Sequence, residues 1–590
     1  MKNWQGFLKF VCFIGFVQGF LVVPNKNGPQ QRQAAVPETT AISPGLSSKC
    51  PINKRANSFL FGAATVDGDQ LCDVAVFGGG FGGLYTALAI SREAASNGQT
   101  IDVALIEPSD QFVFLPLLYD LTIGTATESE VCPYYKDILL GTGVRHIQAT
   151  FDSYCDDDSK MDLCLANISA VSAGESGEKN NMKLSFKKSV ISVGATPQST
   201  LSSVPGALEF CQPFYTQKDA IDTRKLLARL ETLESRELTT PRIAIVGGGY
   251  GGVELAACVK RKIPNSHVSL LSRGSPMKGT RAEALVNQAL DRLGVNVDIC
   301  EVDAIERAVT KGSDNDKDEK VVIRKKEDVN QESSNDDCKP WDAILWTAGS
   351  GPAYPVSKKM NLLSKVKSGR LAIDSTLRCM WKDDEGKGRT SPPVWALGDC
   401  TEIVDSNDRP AVPKTAQAAM QQADTVANNV LVDLKGKGTI KSFQYQDLGS
   451  MLSLGGPNAA LLAPPDDSPL APLFAPLLDT ARVGFGIVDN VFMKLSKSPV
   501  AEKVGLTPVV EKLGLSLGGY GLGVDSDTGA SPGTLAGTLT GAARRAIYAA
   551  RMPTNRQRVY AATSAAISTA ASLVKEASKE IEEGQKSKGN

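Results

Sequence analysis

Short apolar runs that end in glycine recur along the chain and predict its main elements. One run, from Ile243 to Val246, is typical of a buried parallel strand, and a helical pattern follows it directly. The turn between them has the G-x-G-x-x-G spacing, with Gly247, Gly249 and Gly252. In this context the glycines let backbone N–H groups approach a pyrophosphate at the start of the helix. The stretch therefore predicts a nucleotide-binding unit.

The same pattern occurs earlier in the chain. The stretch from Asp73 to Ala89 carries its own glycine turn, formed by Gly78, Gly80 and Gly83. Its second strand, Ile101 to Ile106, ends in Glu107, where an acid accepts hydrogen bonds from ribose hydroxyls. Two such units in one chain predict two nucleotides side by side and electron transfer between them.

The second unit differs from the first after its second strand, His267 to Leu271. Ser272 and Arg273 follow that strand, where the first unit has an acid. An acid there would repel a 2′-phosphate, whereas Arg273 could pair with one, which favours NADPH over NADH. Further on, the charged stretch from Lys311 to Pro340 surrounds one short strand and predicts a solvated loop or hairpin.

Beyond Pro340 we expect the chain to return to the first unit. Trp341–Gly349 and Val394–Asp399 are typical of further strands and turns, and Asp399 could contact a ribityl hydroxyl. A helix beginning in Val412–Gln422 would point its N–H groups at the strand ends. The fold class is α/β, with two Rossmann-like dinucleotide-binding domains and a C-terminal region.

Both ends of the chain indicate a membrane-associated, imported protein. Residues 1–60 combine an apolar run, Phe10 to Val23, with a basic, acid-poor stretch, as in a signal and plastid transit presequence; a plain secretory signal or a membrane anchor is the alternative. Near the other end, residues 539–558 carry five arginines. They predict a helix on an anionic bilayer surface, against the alternative of a soluble amphipathic helix. We expect no membrane-spanning helix after the presequence.

Composition excludes several kinds of site. The net charge of −1 gives no reason to expect nucleic acid, and two histidines, His146 and His267, argue against a His-built metal site. None of the twelve cysteines forms C-x-x-C, which argues against a redox dithiol. Cys132 and Cys400 alone lie near candidate cofactor segments.

An ordered set of motifs resembles the type II NAD(P)H:quinone oxidoreductases, and especially their plastid branch. The motifs cover roughly residues 72–460 and resume near 535–575: VAVFGGGFGGLYTAL, FLPLLYD, IAIVGGGYGGVELAA, LWTAGS, VWALGDC, PKTAQAAMQQAD, FQYQDLGSMLSLG and GAARRAIYAARMPTNRQR. The resemblance implies FAD, NAD(P)H and a membrane quinone. The chain departs from the usual pattern at Met420, at the extra Gln422 and in a long Leu/Pro-rich stretch, 461–532.

The resemblance also implies roles for particular residues. FAD would bind at Gly78, Gly80, Gly83, Glu107 and Asp399. NAD(P)H would bind at Gly247, Gly249 and Gly252. The catalytic side chains would be Glu254, which assists proton delivery, and Gln417 and Gln421, near the quinone ring.

The implied domains are 72–239 and 341–460 for FAD, 240–340 for NAD(P)H and 461–590 for membrane-surface association. The implied reaction passes a hydride from NAD(P)H to FAD and two electrons to a quinone, without proton pumping, on a plastid membrane. Three alternatives stay open: a disulfide-type or ferredoxin-type reductase, a sulfide:quinone reductase, and a flavin-binding scaffold without turnover. A homodimer also stays open.

Overall fold

The computed structural model describes most of the chain from Gln70 to Ile567. The described residues are 70–154, 164–170, 181–196, 201–237, 240–308, 321–326, 340–353, 356, 360, 363–381, 394–404, 411–455, 459–462, 534–564 and 566–567. The presequence expected in residues 1–60 and nearly all of the stretch 461–532 lie outside these residues.

The strands and helices follow one another in the order that the glycine turns predict. The strands are β1 (Gln70–Phe77), β2 (Val103–Ile106), β3 (Val144–Ile147), β4 (Ala149–Tyr154), β5 (Cys164–Ala170), β6 (Asn181–Ile191), β7 (Ala195–Thr196), β8 (Gln212–Pro213), β9 (Arg242–Val246), β10 (His267–Ser272), β11 (Val295–Ile299), β12 (Val302–Arg307), β13 (Val321–Lys325), β14 (Ala343–Trp346), β15 (Gly351–Pro352), β16 (Leu371–Ile373), β17 (Val394–Ala396), β18 (Thr401–Ile403), β19 (Ser450–Ser453), β20 (Ala459–Leu462) and β21 (Thr534–Gly537). The α-helices are α1 (Phe81–Ser96), α2 (Leu118–Ile123), α3 (Glu128–Val131), α4 (Tyr135–Ile138), α5 (Ala207–Phe210), α6 (Gln217–Glu237), α7 (Tyr250–Lys262), α8 (Glu283–Leu293), α9 (Ala416–Lys435) and α10 (Thr538–Ala550).

The first sheet has seven strands in the order β3-β2-β1-β6-β5-β4, with β17 also paired to β6. Strands β1, β2, β3, β6 and β17 run parallel, whereas β4 and β5 form an antiparallel extension. Residues Val74–Phe77 of β1 are fully buried, because helices cover the sheet. Helices α1 and α9 pack against each other. Parallel strands that are buried on both faces have apolar residues at consecutive positions. Such continuous apolar runs are easy to recognise in the sequence.

The second sheet has five parallel strands in the order β11-β10-β9-β14-β8. The prediction that Trp341–Gly349 returns to the first unit is wrong, because Ala343 pairs with Ile243 and Trp346 with Val246. In addition, β8 belongs to this sheet although it precedes residue 240. A short apolar strand can be buried in either sheet, so its sequence does not indicate which sheet it joins. The return to the first sheet occurs at β17.

The described residues also form four smaller sheets, two of which test the sequence predictions. The short strand predicted within the charged stretch is present as β13, which pairs antiparallel with β12, just before that stretch. Strands β19, β20 and β21 form a three-stranded antiparallel sheet, in which Ala459 lies opposite Gly537. Because β21 leads directly into α10, this sheet attaches the tail helix to the body of the protein.

The tail helix α10 buries its first arginines. Arg544 and Arg545 are only 2% and 7% exposed. Arg544 forms an ion pair with Asp120 of α2 at 2.5 Å, and Arg545 forms one with Glu130 of α3 at 2.7 Å. The prediction that these arginines lie on a bilayer surface is therefore wrong, since their charges are matched inside the protein. No helix among the described residues has the length and apolar character needed to cross a membrane.

Replacing Arg545 by Met should destabilise the protein, because Glu130 would stay buried without its cation. Removing one partner of a buried ion pair costs about 3–5 kcal/mol in free energy of unfolding. Urea unfolding would measure this loss. Arg324→Met is the matched control, since the Arg324–Glu306 pair is 62% and 52% exposed and such pairs contribute about 0–1 kcal/mol. Equal losses in the two variants would contradict the prediction.

Candidate functional site

The first glycine turn brings backbone against backbone between β1 and α1. Gly78 has a φ of +99°, and a Cβ built on Gly83 would lie 1.8 Å from the carbonyl oxygen of Gly78. A Cβ on Gly80, the N-cap of α1, would meet nothing within 4 Å. Glycine has no side chain to cap the helix, so the positive end of α1 faces an open space. This space fits the pyrophosphate of a dinucleotide.

Glu107 lies where a ribose-binding acid is needed, beside this turn. Its carboxylate accepts hydrogen bonds from the backbone N–H of Gly79 at 2.7 Å and of Ser109 at 3.0 Å. Burial raises the pKa of Glu107, and these two N–H groups partly oppose that rise. The Tyr135 hydroxyl donates to the carbonyl oxygen of Gly79 at 2.8 Å, a contact that no motif indicates. Tyr135 therefore helps to fix the glycine turn.

Asp399 lies in a 3₁₀ turn directly after β17, near the end of the first sheet. Burial raises its pKa, and the cations Lys414 and Arg370 oppose the rise. The preceding N–H, that of Gly398, donates to the side-chain oxygen of Gln422 at 2.8 Å. Gln422 is 3% exposed and lies on α9. The glutamine that departs from the usual motif is thus the one that holds the Asp399 turn.

The second glycine turn repeats the geometry of the first. Gly247 has a φ of +125°, and a Cβ on Gly252 would lie 1.7 Å from the carbonyl oxygen of Gly247. Gly249, the N-cap of α7, would again have open space around a Cβ. Arg273 is exposed directly after β10. The described geometry therefore offers a second anion-binding helix terminus with a cation on the neighbouring strand.

Glu254 is buried one turn into α7, with 6% of its surface exposed. Its carboxylate accepts a hydrogen bond from the backbone N–H of Ser453 at 2.7 Å. Burial raises the pKa of Glu254 to about 8, opposed by Arg544 and the Ser453 N–H and assisted by Asp120. A carboxyl group with a pKa in this range can give and take a proton near neutral pH.

The two candidate glutamines lie on α9 but differ in their surroundings. Gln417 donates to the carbonyl oxygen of Gly449 at 3.1 Å and accepts from the Tyr445 hydroxyl at 2.6 Å. Gln417 and Glu254 contact the same segment at positions four residues apart, Gly449 and Ser453. Gln421 is half-buried, and its amide both donates to and accepts from the backbone of Gln446.

Contacts between the two units bring the glycine turns into one region. A Cβ on Gly251, in the second turn, would lie 3.2 Å from the Tyr119 hydroxyl, which belongs to the FLPLLYD segment. Phe114, at the start of that segment, and Phe112, two residues before it, are buried and pack edge-on against Phe81 of α1. Their described contacts are those of core packing.

The two cysteines near the candidate cofactor segments are both buried. Burial raises the pKa of Cys132 to about 12 and that of Cys400 to about 11. Both are therefore neutral thiols near pH 7, and a thiol is a much weaker nucleophile than a thiolate. Among the described residues no cluster of His, Cys, Asp or Glu is arranged to hold a metal ion.

Two parallel sheets, each with a glycine turn before a helix, define an oxidoreductase with two dinucleotide sites. Residues 72–423 match the pyridine nucleotide-disulphide oxidoreductase family. Alternative NAD(P)H-ubiquinone oxidoreductase C1, chloroplastic/mitochondrial, of Arabidopsis thaliana is 31% identical over 397 residues, covering 66% of this chain and 72% of that protein. Demethylphylloquinone reductase NdbB of Synechocystis sp. is 30% identical over 389 residues, covering 66% and 86%.

A solved structure has the same fold. NDH2 from Plasmodium falciparum, in complex with NADH, gives a TM-score of 0.51 at 17% identity and covers 70% of this chain and 97% of its own. The chain belongs to the pyridine nucleotide-disulphide oxidoreductase family, among its type II NAD(P)H:quinone oxidoreductases. It is an oxidoreductase, and this membership implies FAD as cofactor and NAD(P)H as nucleotide substrate. The resemblance and the fold class predicted from the sequence are confirmed.

Two alanine substitutions in the first turn should have different effects, one on the stability of the fold and the other on FAD binding. Gly83→Ala places a Cβ against the Gly78 carbonyl and should cost about 1–3 kcal/mol of stability. Gly80→Ala has open space and an ordinary φ of −64°, so it should leave the FAD-free protein intact but weaken FAD binding. Thermal unfolding with and without FAD would measure both effects. Equal destabilisation of the FAD-free variants would contradict this assignment.

Proposed function

We propose that the protein is an FAD-dependent NAD(P)H:quinone oxidoreductase that works without pumping protons. The observation that carries this proposal is the buried carboxyl of Glu254, one turn into the helix of the second glycine turn, with a pKa of about 8. A quinone takes up protons as well as electrons, so its reduction needs a proton donor at this kind of position. The names of the Arabidopsis and Synechocystis relatives, an NAD(P)H-ubiquinone oxidoreductase and a demethylphylloquinone reductase, support the same substrate class.

Bound FAD would supply the redox chemistry, accepting a hydride on one side and delivering two electrons on the other. The first glycine turn, with Gly78, Gly80 and Gly83, would hold its pyrophosphate, and Glu107 and Asp399 would bind its sugar hydroxyls. The second turn, with Gly247, Gly249 and Gly252, would hold NAD(P)H. Exposed Arg273 would pair with a 2′-phosphate, which favours NADPH.

Glu254 would deliver a proton to the quinone, and the resulting carboxylate would take up another proton from solvent. The contacts of Gln417 are consistent with a quinone site near Glu254. Gln417 contacts the segment whose Ser453 N–H donates to the Glu254 carboxylate. For Gln421, contact with the quinone ring would require its amide to leave the backbone of Gln446. Gln417 is therefore the stronger candidate of the two.

We place the enzyme on a plastid membrane, on the basis of the sequence of residues 1–60 and the plastid and cyanobacterial relatives. We propose the domain assignment given above, with the NAD(P)H unit extended to include β8 and β14. The bilayer contact is reassigned from the first tail arginines to residues further along. Val559, Tyr560 and Ile567 are exposed apolar side chains, and Arg556 and Arg558 beside them are also exposed.

A sulfide:quinone reductase is the alternative with a specific structural argument against it. Such chemistry needs a reactive cysteine pair at the flavin. Cys132 and Cys400 are buried thiols with raised pKa values. A reaction with sulfide and none with NADPH would nevertheless favour this alternative over the present proposal.

Anaerobic mixing of the FAD-loaded protein with NADPH should bleach the flavin absorbance, and a naphthoquinone should restore it. NADPH should react faster than NADH, and Arg273→Gln should reduce this preference about ten- to a hundredfold, as expected for the loss of one charge-assisted contact worth about 1.5–3 kcal/mol. Stopped-flow absorbance would measure all three rates. Flavin absorbance unaffected by either nucleotide would overturn the proposed function.

Glu254→Gln should slow quinone-dependent turnover by ~10²-fold or more, the usual contribution of general acid catalysis, while FAD stays bound. In the native protein the acid form of Glu254 predominates below pH 8, so the rate should fall as the pH rises through about 8. The variant should lack this pH dependence. Measuring the quinone-dependent rate from pH 6 to 10, within the stable range, would test both points; an unchanged rate would remove Glu254 from the mechanism.

A further inference from the structure

Helix α7, which carries the buried Glu254, packs against α2, and Asp120 of α2 forms an ion pair with Arg544 of the tail. Asp120 comes from α2, directly after Tyr119, whose hydroxyl approaches the second glycine turn. Arg544 comes from α10, in the tail. Asp120 is 1% and Arg544 2% exposed, and their charged groups lie 2.5 Å apart. Charges in such a water-excluded environment act strongly on their neighbours.

The tail reaches this position through the sheet that also contacts Glu254. Strand β19 donates the Ser453 N–H to Glu254, and β20 joins β19 to β21, which leads into α10. Helix α2 packs against α7, the helix that carries Glu254. The hydrogen bond to Ser453 and the Asp120–Arg544 pair are therefore parts of one rigidly connected arrangement.

Few other groups around Glu254 carry a charge near neutral pH. Burial raises the pKa of Tyr119 and Tyr548 above the neutral range and that of Cys258 to about 12, so all three are neutral. Strand β19 contributes a backbone N–H and the hydroxyl of Ser453. Among the described residues, the charged groups that act on Glu254 are Arg544 and Asp120.

The neighbouring pair of Arg545 and Glu130 explains the attachment of the tail, and neither residue is among the groups that shift the pKa of Glu254. Arg545 does approach the Asp120 carboxylate, at 4.0 Å. Arg545 also donates to the carbonyl oxygen of Thr125 at 2.7 Å, and Glu130 also accepts from the Ser564 hydroxyl at 2.5 Å. Arg544 likewise donates to a carbonyl oxygen, that of Pro116 at 3.2 Å, and the Nε of each arginine is buried without a hydrogen-bond partner among the described residues. Burying a second charged pair adds little stability over apolar packing, so attachment alone does not account for Arg544.

We propose that Arg544 of the tail helix, paired with Asp120, is a positioning residue that sets the protonation state of Glu254. The tail would thereby be part of the reaction site as well as an attachment. Arg544 favours the charged carboxylate and Asp120 favours the neutral acid, so the balance between them keeps Glu254 able to exchange its proton. This inference rests on the proposed function only for the statement that the proton of Glu254 is used to reduce a quinone.

The test is a pH titration of the Glu254 carboxylic acid by infrared difference spectroscopy on the FAD-loaded full chain. Loss of the C=O band in Glu254→Gln identifies the signal. Arg544→Met should move the titration midpoint up by ~1–2 pH units, and Asp120→Asn should move it down by ~1 unit. Arg544→Lys keeps the charge and should restore a midpoint close to the native one.

Glu130→Gln is the matched control, because it removes one carboxylate from the adjacent buried pair. It should leave the midpoint unchanged even where it lowers stability. Midpoints that stay fixed in Asp120→Asn and Arg544→Met, or that move in the same direction in both, would overturn the proposal, as would an equal change in Glu130→Gln. An unimpaired Glu254→Gln enzyme would instead overturn the role of Glu254 in turnover, without affecting the infrared result.

Discussion

The burial of the Glu254 carboxyl is the constraint on which the centre of this structure depends. A carboxylate removed from water is costly unless hydrogen bonds and opposite charges compensate it. Here the hydrogen bond comes from Ser453 of β19 and the positive charge from Arg544 of α10, while Asp120 of α2 keeps that charge balanced. The two nucleotide-binding units, the small antiparallel sheet and the tail must therefore all be in place for this one group to be accommodated.

Much of the fold could be predicted from the sequence because its signals are local. Each glycine turn is specified within about fifteen residues: an apolar strand, close contacts that only glycine allows, and a helix that begins at once. The ends of helix α9 are also specified locally. The Thr415 side chain accepts a hydrogen bond from the Ala418 N–H at its start, and Gly436 ends it with a positive φ. Such features need no knowledge of the remaining chain.

The errors came from features that depend on distant partners. The apolar pattern of β14 does not say which of two parallel sheets it joins. A run of arginines in a helix is typical of a surface, and only the acids Asp120 and Glu130, 424 and 415 positions away, make it internal. The glutamine that holds the Asp399 turn was missed for a related reason: Gln421 and Gln422 are adjacent, and only the rotation of α9 against the sheet decides which is buried.

The three-stranded sheet also affects the order in which the protein can mature. Asp120 and Glu130 are translated and, in an imported protein, translocated long before the arginines that neutralise them. Until β21 pairs with β20, these two acids have no internal cations, and Glu254 lacks one of the charges around it. The nucleotide-binding units can form early from their local signals, but the surroundings of Glu254 become complete only when the tail has docked. In a chain that ends before β21, both glycine turns would be present while Asp120 and Glu130 would lack Arg544 and Arg545.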